Sequence, residues 1–373
     1  SALAQVGKDF KFPQIWRSNV GIDIELPWGM VFTGEAIYSK DINAVKQVNI
    51  NLAPATGNMI GSDNREYWRW VSSSNNDTKI VPSVSNVTEL TNSKEGYQYS
   101  LTAQLTKNFQ KGFAGMFAYT YTMAKDVSAN PGSSAGSAWS SNTAVGSLNN
   151  PGLSYSNFAT PHKLIGSVSY RFEYAKHFAT TFSLVYQGYQ TGRWSYTYSN
   201  DLNGDGNSSD LMYIPVSATD INFGVASGMS VADQQQAFWT YLNNNEYLKA
   251  HKGEYAERFG HVQPWIHRFD VKFLQDIFTS FGTDRKYTVQ FSVDLLNAGN
   301  LINDSWGTYT YNALASYENV RPLTVLTRGT ATTAPVYRLN ATSLADFKTK
   351  TTLNKSIGTG STWGCLLGLR LIF

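Results

Sequence analysis

The sequence has little charge, almost no cysteine and no long apolar run. Charged residues make up 15% of its 373 residues, whereas globular domains usually carry about 25%. Its 30 basic and 27 acidic side chains nearly cancel, so the chain has no basic stripe and nucleic acid is not an expected partner. The single cysteine, Cys365, excludes a disulfide framework and a four-cysteine zinc site. A mean hydropathy of −0.29 and the lack of any run of about 18 apolar residues exclude helical membrane spans.

Aromatic residues, by contrast, are abundant: 20 Phe, 22 Tyr and 10 Trp amount to 14% of the chain. Many lie in segments where every second residue is apolar and the residues between are polar, a pattern that predicts β-strands. In one such segment the apolar positions are Tyr287, Val289, Phe291, Val293 and Leu295, and the polar positions are Thr288, Gln290, Ser292 and Asp294. The same alternation predicts nine strands, at about 15–26, 30–44, 97–109, 113–125, 162–174, 177–196, 264–278, 286–299 and 361–373.

The connections between these strands alternate in length. Short turns are predicted at Pro27–Gly29, Gln110–Gly112, Tyr174–Lys176 and Ser280–Lys286, and long polar stretches near 46–95, 126–160, 196–262 and 301–360. Loops longer than about 15 residues are uncommon in compact soluble domains. Transmembrane β-barrels, however, combine short periplasmic turns with long outer loops. The chain is therefore predicted to be all-β, an antiparallel transmembrane β-barrel with long extracellular loops.

Alternate residues of each strand form two sets, or parities, and the two sets then face different surroundings. In a membrane barrel the apolar parity faces lipid and the polar parity lines the interior. Aromatic side chains should gather at the strand ends, where amphipathic rings favour the headgroup region. The residues expected there are Trp16, Trp28, Tyr38, Tyr119, Tyr121, Tyr189, Trp194, Tyr196, Trp265, Trp306 and Trp363. The alternative is that they form the core of a soluble β-sandwich.

The last segment favours the membrane interpretation. Leu367, Leu369, Leu371 and Phe373 share one parity, and the chain stops on the aromatic Phe373. This resembles the terminal strand of outer-membrane barrels, in which a final Phe is the sorting signal for the assembly machinery. The resemblance implies that the chain lies in the outer membrane of a Gram-negative cell.

Nine is an odd number, and single-chain bacterial barrels have an even number of strands. The chain is therefore one strand short of a ten-stranded barrel, or it is part of a larger barrel. An extra strand within 335–350 would need a partner to keep Phe373 on the periplasmic side. The chain also begins at Ser1 without a charged segment followed by an apolar one, so we expect a mature chain or one that starts partway along a longer protein, and we favour a fragment.

Several segments resemble the C-terminal barrel of TonB-dependent outer-membrane receptors, specifically the Oar-like and SusC-like receptors with a carboxypeptidase-regulatory-like N-terminal domain. They occur in family order and span nearly the whole chain: Phe10–Gln14 with Arg17, Leu26–Gly29, Ile37–Asn43, Pro161–Lys163, Asp201–Asn207, His267–Asp270, Asp294–Asn297, Asn300–Asn303 and Trp306–Gly307. No single segment is diagnostic, and it is the ordered set that carries the resemblance.

This resemblance implies that residues 1–373 are the C-terminal portion of a plugged barrel of about 22 strands. The plug domain, the TonB box and the first strands would lie upstream, and neither plug nor TonB box is visible in this chain. The implied function is import of a bulky nutrient, an oligosaccharide or peptide, with this chain supplying barrel wall and substrate-facing loops. The implied partners are outer-membrane lipid, the rest of the same receptor, the TonB complex and a surface lipoprotein.

One loop has the pattern of a calcium site. Its oxygen-bearing side chains are Asp201, Asn203, Asp205, Asn207 and Asp210, with Gly206 at the sixth position for a sharp turn. Alternating oxygen ligands suit a hard cation such as Ca²⁺. The twelfth position, usually Glu, is Met212, so Asp210 or a folded-back Asp220 would have to replace it. The alternative is an Asx- and Gly-rich turn without metal.

Further along the same loop, Ser230 followed by Asp233 predicts the start of a helix over roughly 231–250. Its apolar stripe contains Phe238, Tyr241, Leu242 and Leu248. We expect this helix to pack over the loops, and the alternative is a docking surface for a lipoprotein or a ligand.

Aromatic residues at 187–200 offer stacking faces and hydrogen bonds for a carbohydrate or peptide. The candidate substrate-binding residues are Tyr189, Trp194, Tyr196 and Tyr198; girdle or loop packing is the alternative.

The chain is not expected to be an enzyme. Its histidines, at 162, 177, 251, 261 and 267, lack metal-ligand spacing, and no acidic pair stands out beside them. A phosphate loop and a Gly-x-Ser-x-Gly elbow are absent from the sequence. Two rival functions remain: a passive ten-stranded pore or structural barrel, and a barrel enzyme with its active site in the loops.

Overall fold

Nine long strands form one antiparallel meander in the computed structural model, which describes residues 2–69, 78–208, 210–226, 228–280, 286–316, 318–350, 353–356 and 358–373. The strands are β1 (Gln14–Leu26), β2 (Met30–Asn49), β3 (Tyr97–Gln110), β4 (Phe113–Asp126), β5 (His162–Tyr174), β6 (Phe178–Gln190), β7 (Trp265–Ser280), β8 (Lys286–Leu296) and β9 (Gly364–Ile372). Each pairs with its neighbours in chain order. The predicted all-β fold and its nine strands are confirmed.

The register keeps the apolar parity of every strand on one face of the sheet. Val168 pairs with Leu184 on one side and with Gly115 on the other, and Leu184 pairs with Val271. This face leaves large apolar side chains exposed on all nine strands, among them Val20, Tyr38, Leu101, Phe117, Val168, Phe182, Ile277, Phe291 and Leu369. Such a wide apolar band is the surface that lipid covers in a membrane barrel.

The opposite face of the sheet is polar. Its side chains hydrogen bond across strands, as in the hydroxyl pairs Thr102–Thr120 and Ser169–Ser183. An ion pair joins the Arg171 guanidinium to the Asp276 carboxylate at 2.6 Å. These contacts satisfy polar groups that hydrocarbon would leave without partners, so this is the interior face.

The short connections are tight turns. Each described one has two consecutive residues with positive φ: Trp28 and Gly29, Lys111 and Gly112, Ala175 and Lys176. Positive φ at both positions matches the twist of antiparallel strands. A Cβ on Gly112 would lie 2.1 Å from the Arg171 carbonyl oxygen, so only glycine fits there. The turn predicted at Ser280–Lys286 runs through 281–285, outside the described residues.

The sheet is open in the part of the chain that the structure describes. Among the nine strands, β1 pairs with β2 alone, and β9 pairs with β8 alone. All thirteen residues of β1 are exposed, including those of its polar face. Both edges therefore present unpaired backbone groups, which membrane barrels eliminate by closing the sheet.

The long loops fold into a packed body that we call the loop module, built from residues 57–67, 193–262 and 309–347. Its buried core includes Tyr196, Leu202, Met212, Phe238, Leu242, Leu323 and Phe347, each at most 2% exposed. Within the described ranges the chain has these helices: α1 (Ala135–Ser140), α2 (Val231–Asn244), α3 (Glu246–Ala250), α4 (Gly299–Ile302) and α5 (Leu344–Lys350). None of them is long and apolar enough to cross a membrane.

Short strands complete the module and the loop ends. They are Ala2–Val6, Gly57–Asn58, Glu66–Tyr67, Asn86–Ser93, Ser154–Tyr155, Arg193–Tyr198, Asn222–Phe223, His261–Val262, Tyr309–Asn312, Ala315–Ser316, Asn319–Thr327, Val336–Leu339 and Leu353–Ser356. Two 3₁₀ turns lie at Pro27–Gly29 and Ala218–Asp220.

Three sequence-based boundaries need correction. The strand predicted over 177–196 ends at Gln190, and Arg193–Tyr198 forms a separate, fully buried strand of the loop module. Trp194 and Tyr196 therefore lie in the core of that module and not in an interfacial girdle. The segment 335–350 holds the short strand Val336–Leu339 and α5, and not a tenth crossing strand. The predicted helix over 231–250 is two helices, because Asn245 breaks it and caps α3.

Candidate functional site

A cavity of about 600 Å³ lies in the loop module between α2 and α5. Small-molecule sites typically measure about 300–1,000 Å³. The strand Arg193–Tyr198 contributes Trp194 and Tyr196 to its lining, and Asn312 and His261 come from two further strands.

Helix α2 lines one wall of the cavity with a continuous face. The lining positions are Asp233, Gln236, Ala237, Thr240, Tyr241 and Asn244, which recur every three or four residues. The opposite face buries Gln234, Phe238 and Leu242 in the module core. The predicted helix start is confirmed, since the Ser230 hydroxyl accepts a hydrogen bond from the Asp233 backbone N–H at 3.1 Å.

The floor of the cavity is a hydrogen-bonded cluster around Tyr196. Its hydroxyl accepts a hydrogen bond from Asn245 Nδ2 at 2.7 Å and lies 3.3 Å from His261 Nδ1. The Trp194 and His261 rings are in contact, with centroids 5.5 Å apart. Burial lowers the pKa of His261 to about 4, so its imidazole is neutral at neutral pH. The floor therefore carries no charge.

The predicted aromatic cluster is divided between three places. Trp194 and Tyr196 line the cavity. Tyr189 lies on the interior face of β6, where its hydroxyl hydrogen bonds to that of Tyr309 at 2.8 Å. Tyr198 stacks on Tyr337 with centroids 5.2 Å apart. The sequence did not single out the polar face of α2, although its three- and four-residue spacing was visible beside the predicted apolar stripe.

Arg65 joins distant loops at the other side of the module. Its side chain is fully buried and pairs with Asp63 at 2.8 Å and Asp210 at 3.7 Å. It also donates to the Leu211 carbonyl at 2.6 Å and the Val145 carbonyl at 3.1 Å. Burial alone would lower the pKa of Arg65. The surrounding groups, among them the carboxylates of Asp63 and Asp210, raise the pKa by a larger amount, so the guanidinium stays charged.

The residues predicted to bind calcium lie together in one loop. Asp201, Asn203, Asp205 and Asp210 are buried, and their side-chain oxygens accept backbone N–H bonds; Asn207 is half-buried. Asp201 accepts from Gly204 and Gly206 at 2.6 and 3.2 Å, and Asp210 accepts from Leu202 at 2.8 Å. Asn203 and Asp205 each accept from the residue two positions later, at 2.9 and 2.8 Å. This ladder has the geometry of successive Asx turns.

The three carboxyl groups of this loop differ in their cationic partners. Asp201 pairs with Arg328 at 3.3 Å, and Asp210 lies near Arg65. Burial raises the pKa of Asp210 to about 7. Burial, followed by repulsion from Asp210 and Asp201, raises the pKa of Asp205 well above its usual value.

The described residues contain no group of three or more His, Cys, Asp or Glu side chains arranged to hold a metal. Asp220 does not fold back onto the loop, because its carboxylate accepts from the Val216 and Ser217 N–H groups. Met212 is fully buried in the apolar core. Ser209, within the same motif, lies outside the described residues.

All five histidines bond to tyrosine hydroxyls or backbone carbonyls. His162, His267 and His261 lie beside Tyr119, Tyr186 and Tyr196. His177 and His251 lie beside the carbonyls of Phe278 and Tyr247. Phe373, the predicted sorting residue, is 91% exposed after the end of β9.

A family model described as an outer membrane beta barrel domain matches residues 1–314. The matched range contains β1 to β8, helix α2 and the calcium-type loop. No curated protein matches the chain.

Proposed function

The chain belongs to the outer membrane beta barrel domain family, and we propose that within the Gram-negative outer membrane it takes part in TonB-dependent import of a bulky nutrient. The nutrient is an oligosaccharide or a peptide. In this proposal β1 to β9 supply barrel wall, and the loop module supplies the contacts to the incoming nutrient.

The open nine-stranded sheet carries this proposal. An antiparallel meander closes with an even number of strands, and in the described residues the edges at β1 and β9 do not pair with each other. Additional strands would have to complete the wall. Small barrels of about 8 strands are filled by side chains, whereas barrels of about 22 strands enclose a plugged lumen wide enough for a bulky nutrient. Residues 1–373 would then be the C-terminal portion of the receptor.

The partners follow from this arrangement. Strands of the same receptor would pair with the free edges, and its plug would lie against the polar face that carries Arg171 and Asp276. The apolar face would contact outer-membrane lipid, and the TonB complex would supply the energy for transport. The loop module would offer a surface lipoprotein its docking site. We propose that the assembly machinery recognises Phe373.

Uptake measurements in the native host test the proposal. Cells with the intact gene should import one or more members of a panel of fluorescein-labelled neutral oligosaccharides and peptides. Cells lacking the gene should not import them. Deleting TonB should abolish the same uptake, because transport through a plugged barrel requires energy. A glucose uptake assay serves as the control and should be unaffected.

The rival functions predict different results. A passive pore would import the panel equally well without TonB, and this outcome would exclude energy coupling. Within the described ranges the sheet has an odd number of long strands and unpaired edges, which also disfavours a small closed pore. We propose that the chain is not an enzyme, and the bonding of its five histidines to hydroxyls and carbonyls gives a histidine–acid active site no support.

Calcium binding in the loop from Asp201 to Asp210 is a further part of the proposal. Asp205 is 6% exposed, and the carboxyl groups of Asp210 and Asp201 repel its charged form, a setting in which a bound divalent cation is favourable. We propose that Ca²⁺ stiffens this extracellular loop, with Asp201, Asn203, Asp205, Asn207 and Asp210 as the candidate ligands.

Removal of calcium should lower the melting temperature of the loop module by several degrees, because a ligand that binds only the folded state stabilises it. Differential scanning calorimetry with and without EDTA measures the difference. The Asp205→Asn variant should lose this response. Asp220→Asn should keep it, since Asp220 caps the separate turn at 218–220. An identical melting curve with and without EDTA would show that the loop is a metal-free Asx turn and that the calcium proposal is wrong.

A further inference from the structure

We propose that Lys40 and Lys125, supported by the charge of Arg193, bind the phosphate groups of a phosphorylated lipid in the outer leaflet of the membrane. We call these three residues the basic rim. The inference rests on the outer-membrane barrel and does not require TonB-dependent import, so either can fail without the other.

The strand register places the two lysines at one level of the sheet. Lys40 of β2 pairs with Tyr97 of β3, which also pairs with Lys125 of β4. Lys125 pairs in turn with Tyr155 of the short strand that precedes β5. Tyr97 has the parity of the exposed Leu101, so this row lies on the lipid-facing side. The long loops begin at this end of the strands, which is therefore the extracellular end.

Aromatic side chains occupy the next level of the sheet, two residues farther into the membrane. There Tyr38 pairs with Tyr99, and the rings of Tyr38 and Trp16 are in contact, with centroids 6.1 Å apart. Farther along the sheet, His162 stacks on Trp265 at 5.8 Å. Aromatic belts mark the depth at which hydrocarbon gives way to lipid headgroups. Two residues of a strand span about 7 Å, so the basic rim lies at the depth of the headgroups.

Acidic side chains offset little of the positive charge of the basic rim. Lys125 Nζ lies 4.0 Å from a carboxylate oxygen of Glu257, whose side chain is 42% exposed. Exposed ion pairs of this kind contribute little. Among the described residues, Lys40 and Arg193 donate to backbone carbonyls and not to carboxylates. Lys40 Nζ donates to the Glu95 carbonyl at 3.2 Å, and Arg193 Nη1 donates to two carbonyls at 3.2 and 3.4 Å.

The Tyr155 ring keeps Lys125 and Arg193 together. Lys125 Nζ lies 4.5 Å from the ring centroid, and Arg193 Cζ lies 4.0 Å from it. Each cation is attracted to the ring, so two like charges stay side by side. Arg193 is 8% exposed, and burial lowers the pKa of its guanidinium. The charged form is therefore the costly one, and an anion at the rim would stabilise it.

The position of the basic rim selects a lipid as its occupant. The row from Lys40 to Tyr155 lies on the side of the sheet that lipid covers, so a solute in the barrel interior does not reach it. Ammonium groups bind phosphate as point charges. Below them, apolar side chains such as Leu101, which is 49% exposed, would contact the acyl chains of the same lipid.

Native mass spectrometry of the full-length protein in neutral detergent tests the inference. The probes are diphosphoryl lipid A, monophosphoryl lipid A and phosphatidylcholine, which has no net charge. We expect the diphosphoryl form to bind most tightly and phosphatidylcholine least tightly, because the affinity depends on the negative charge of the headgroup. A large excess of inorganic phosphate should not displace the lipid, since acyl chains add to its binding.

Substitutions on the two sides of the sheet assign the binding to the basic rim. Lys40→Gln and Lys125→Gln should each raise the dissociation constant of diphosphoryl lipid A about fivefold, as expected for one basic residue at a membrane surface. Glu257→Gln should lower it, because this change removes the acid beside Lys125. Lys163→Gln is the matched control. Lys163 is exposed on the interior face of β5, where it pairs with Tyr189, and its loss should leave the affinity unchanged.

The outcomes separate this inference from the proposed function. Unchanged affinity in both Lys40→Gln and Lys125→Gln, or an equal loss in Lys163→Gln, overturns it. Equal binding of phosphatidylcholine, or displacement by inorganic phosphate, overturns it as well. Lipid binding that the two rim variants weaken, together with uptake that persists without TonB, supports the lipid site and rejects energy coupling. TonB-dependent uptake without lipid binding does the reverse.

Discussion

Replacing Arg65 by methionine is expected to lower the free energy of unfolding of the loop module by about 3–5 kcal/mol. The Arg65 side chain is fully buried and is the cationic partner of both Asp63 and Asp210. Methionine has a similar length and keeps the packing volume, but it leaves two buried carboxylates without a positive charge. It also removes the donors to the Leu211 and Val145 carbonyls, which tie separate loops together.

Amide hydrogen exchange of the detergent-solubilised protein measures this effect, because it reports the module separately from the sheet. Protection should fall in residues 57–67 and 200–214, and the sheet strands should keep theirs. Arg338→Met is the control: Arg338 is half-buried and donates to the Leu339 carbonyl at 3.2 Å, so its loss should cost about 1 kcal/mol or less. Equal protection in the two variants would show that Arg65 does not hold the loops together.

Placing a charge on the apolar face of the sheet is the second change with a large expected effect. Val168 lies midway along β5 and is 45% exposed between Gly115 and Leu184. Arginine at the middle of a lipid-facing strand costs about 2–4 kcal/mol. We expect Val168→Arg to reduce the amount of protein assembled in the outer membrane several-fold.

The adjacent residue provides the matched control. Ser167 points to the opposite, polar face, beside strands joined by hydroxyl pairs such as Ser169–Ser183. Ser167→Arg adds the same charge one position away and should assemble almost normally. Immunoblotting of outer-membrane fractions compares the two variants at equal expression. If both assemble equally, or if Ser167→Arg is the more damaging, the assignment of the lipid-facing side is wrong.

Much of the sheet could be predicted because alternation is a local signal. A residue in a strand faces the side opposite its neighbour, so the segment from Tyr287 to Leu295 already separates its lipid-facing and interior side chains. The contrast between short turns and long loops then gave the topology of the meander. The helix start at Ser230 was equally local, since an N-cap and its acid lie within four residues.

The loop module could not be derived in the same way. Trp194 and Tyr196 continue the alternation of β6, and nothing local shows that the chain leaves the sheet after Gln190. Their surroundings come from α2, His261 and Asn312, which are distant in sequence. Sequence reasoning therefore kept Tyr189 and Tyr198 in the same aromatic cluster, while the structure places them against Tyr309 and Tyr337.

The sequence by itself determined the all-β class, the nine strands, the apolar and polar faces of the sheet, and the position of the loops. These depend on periodicity and turn chemistry within a few residues. Only the tertiary structure decided that the two sheet edges stay unpaired in the described residues, that Arg65 joins loops more than 140 residues apart, and that the polar face of α2 lines one wall of a cavity. The physical reason is that burial and charge pairing depend on which distant segments meet, and short-range patterns do not carry that information.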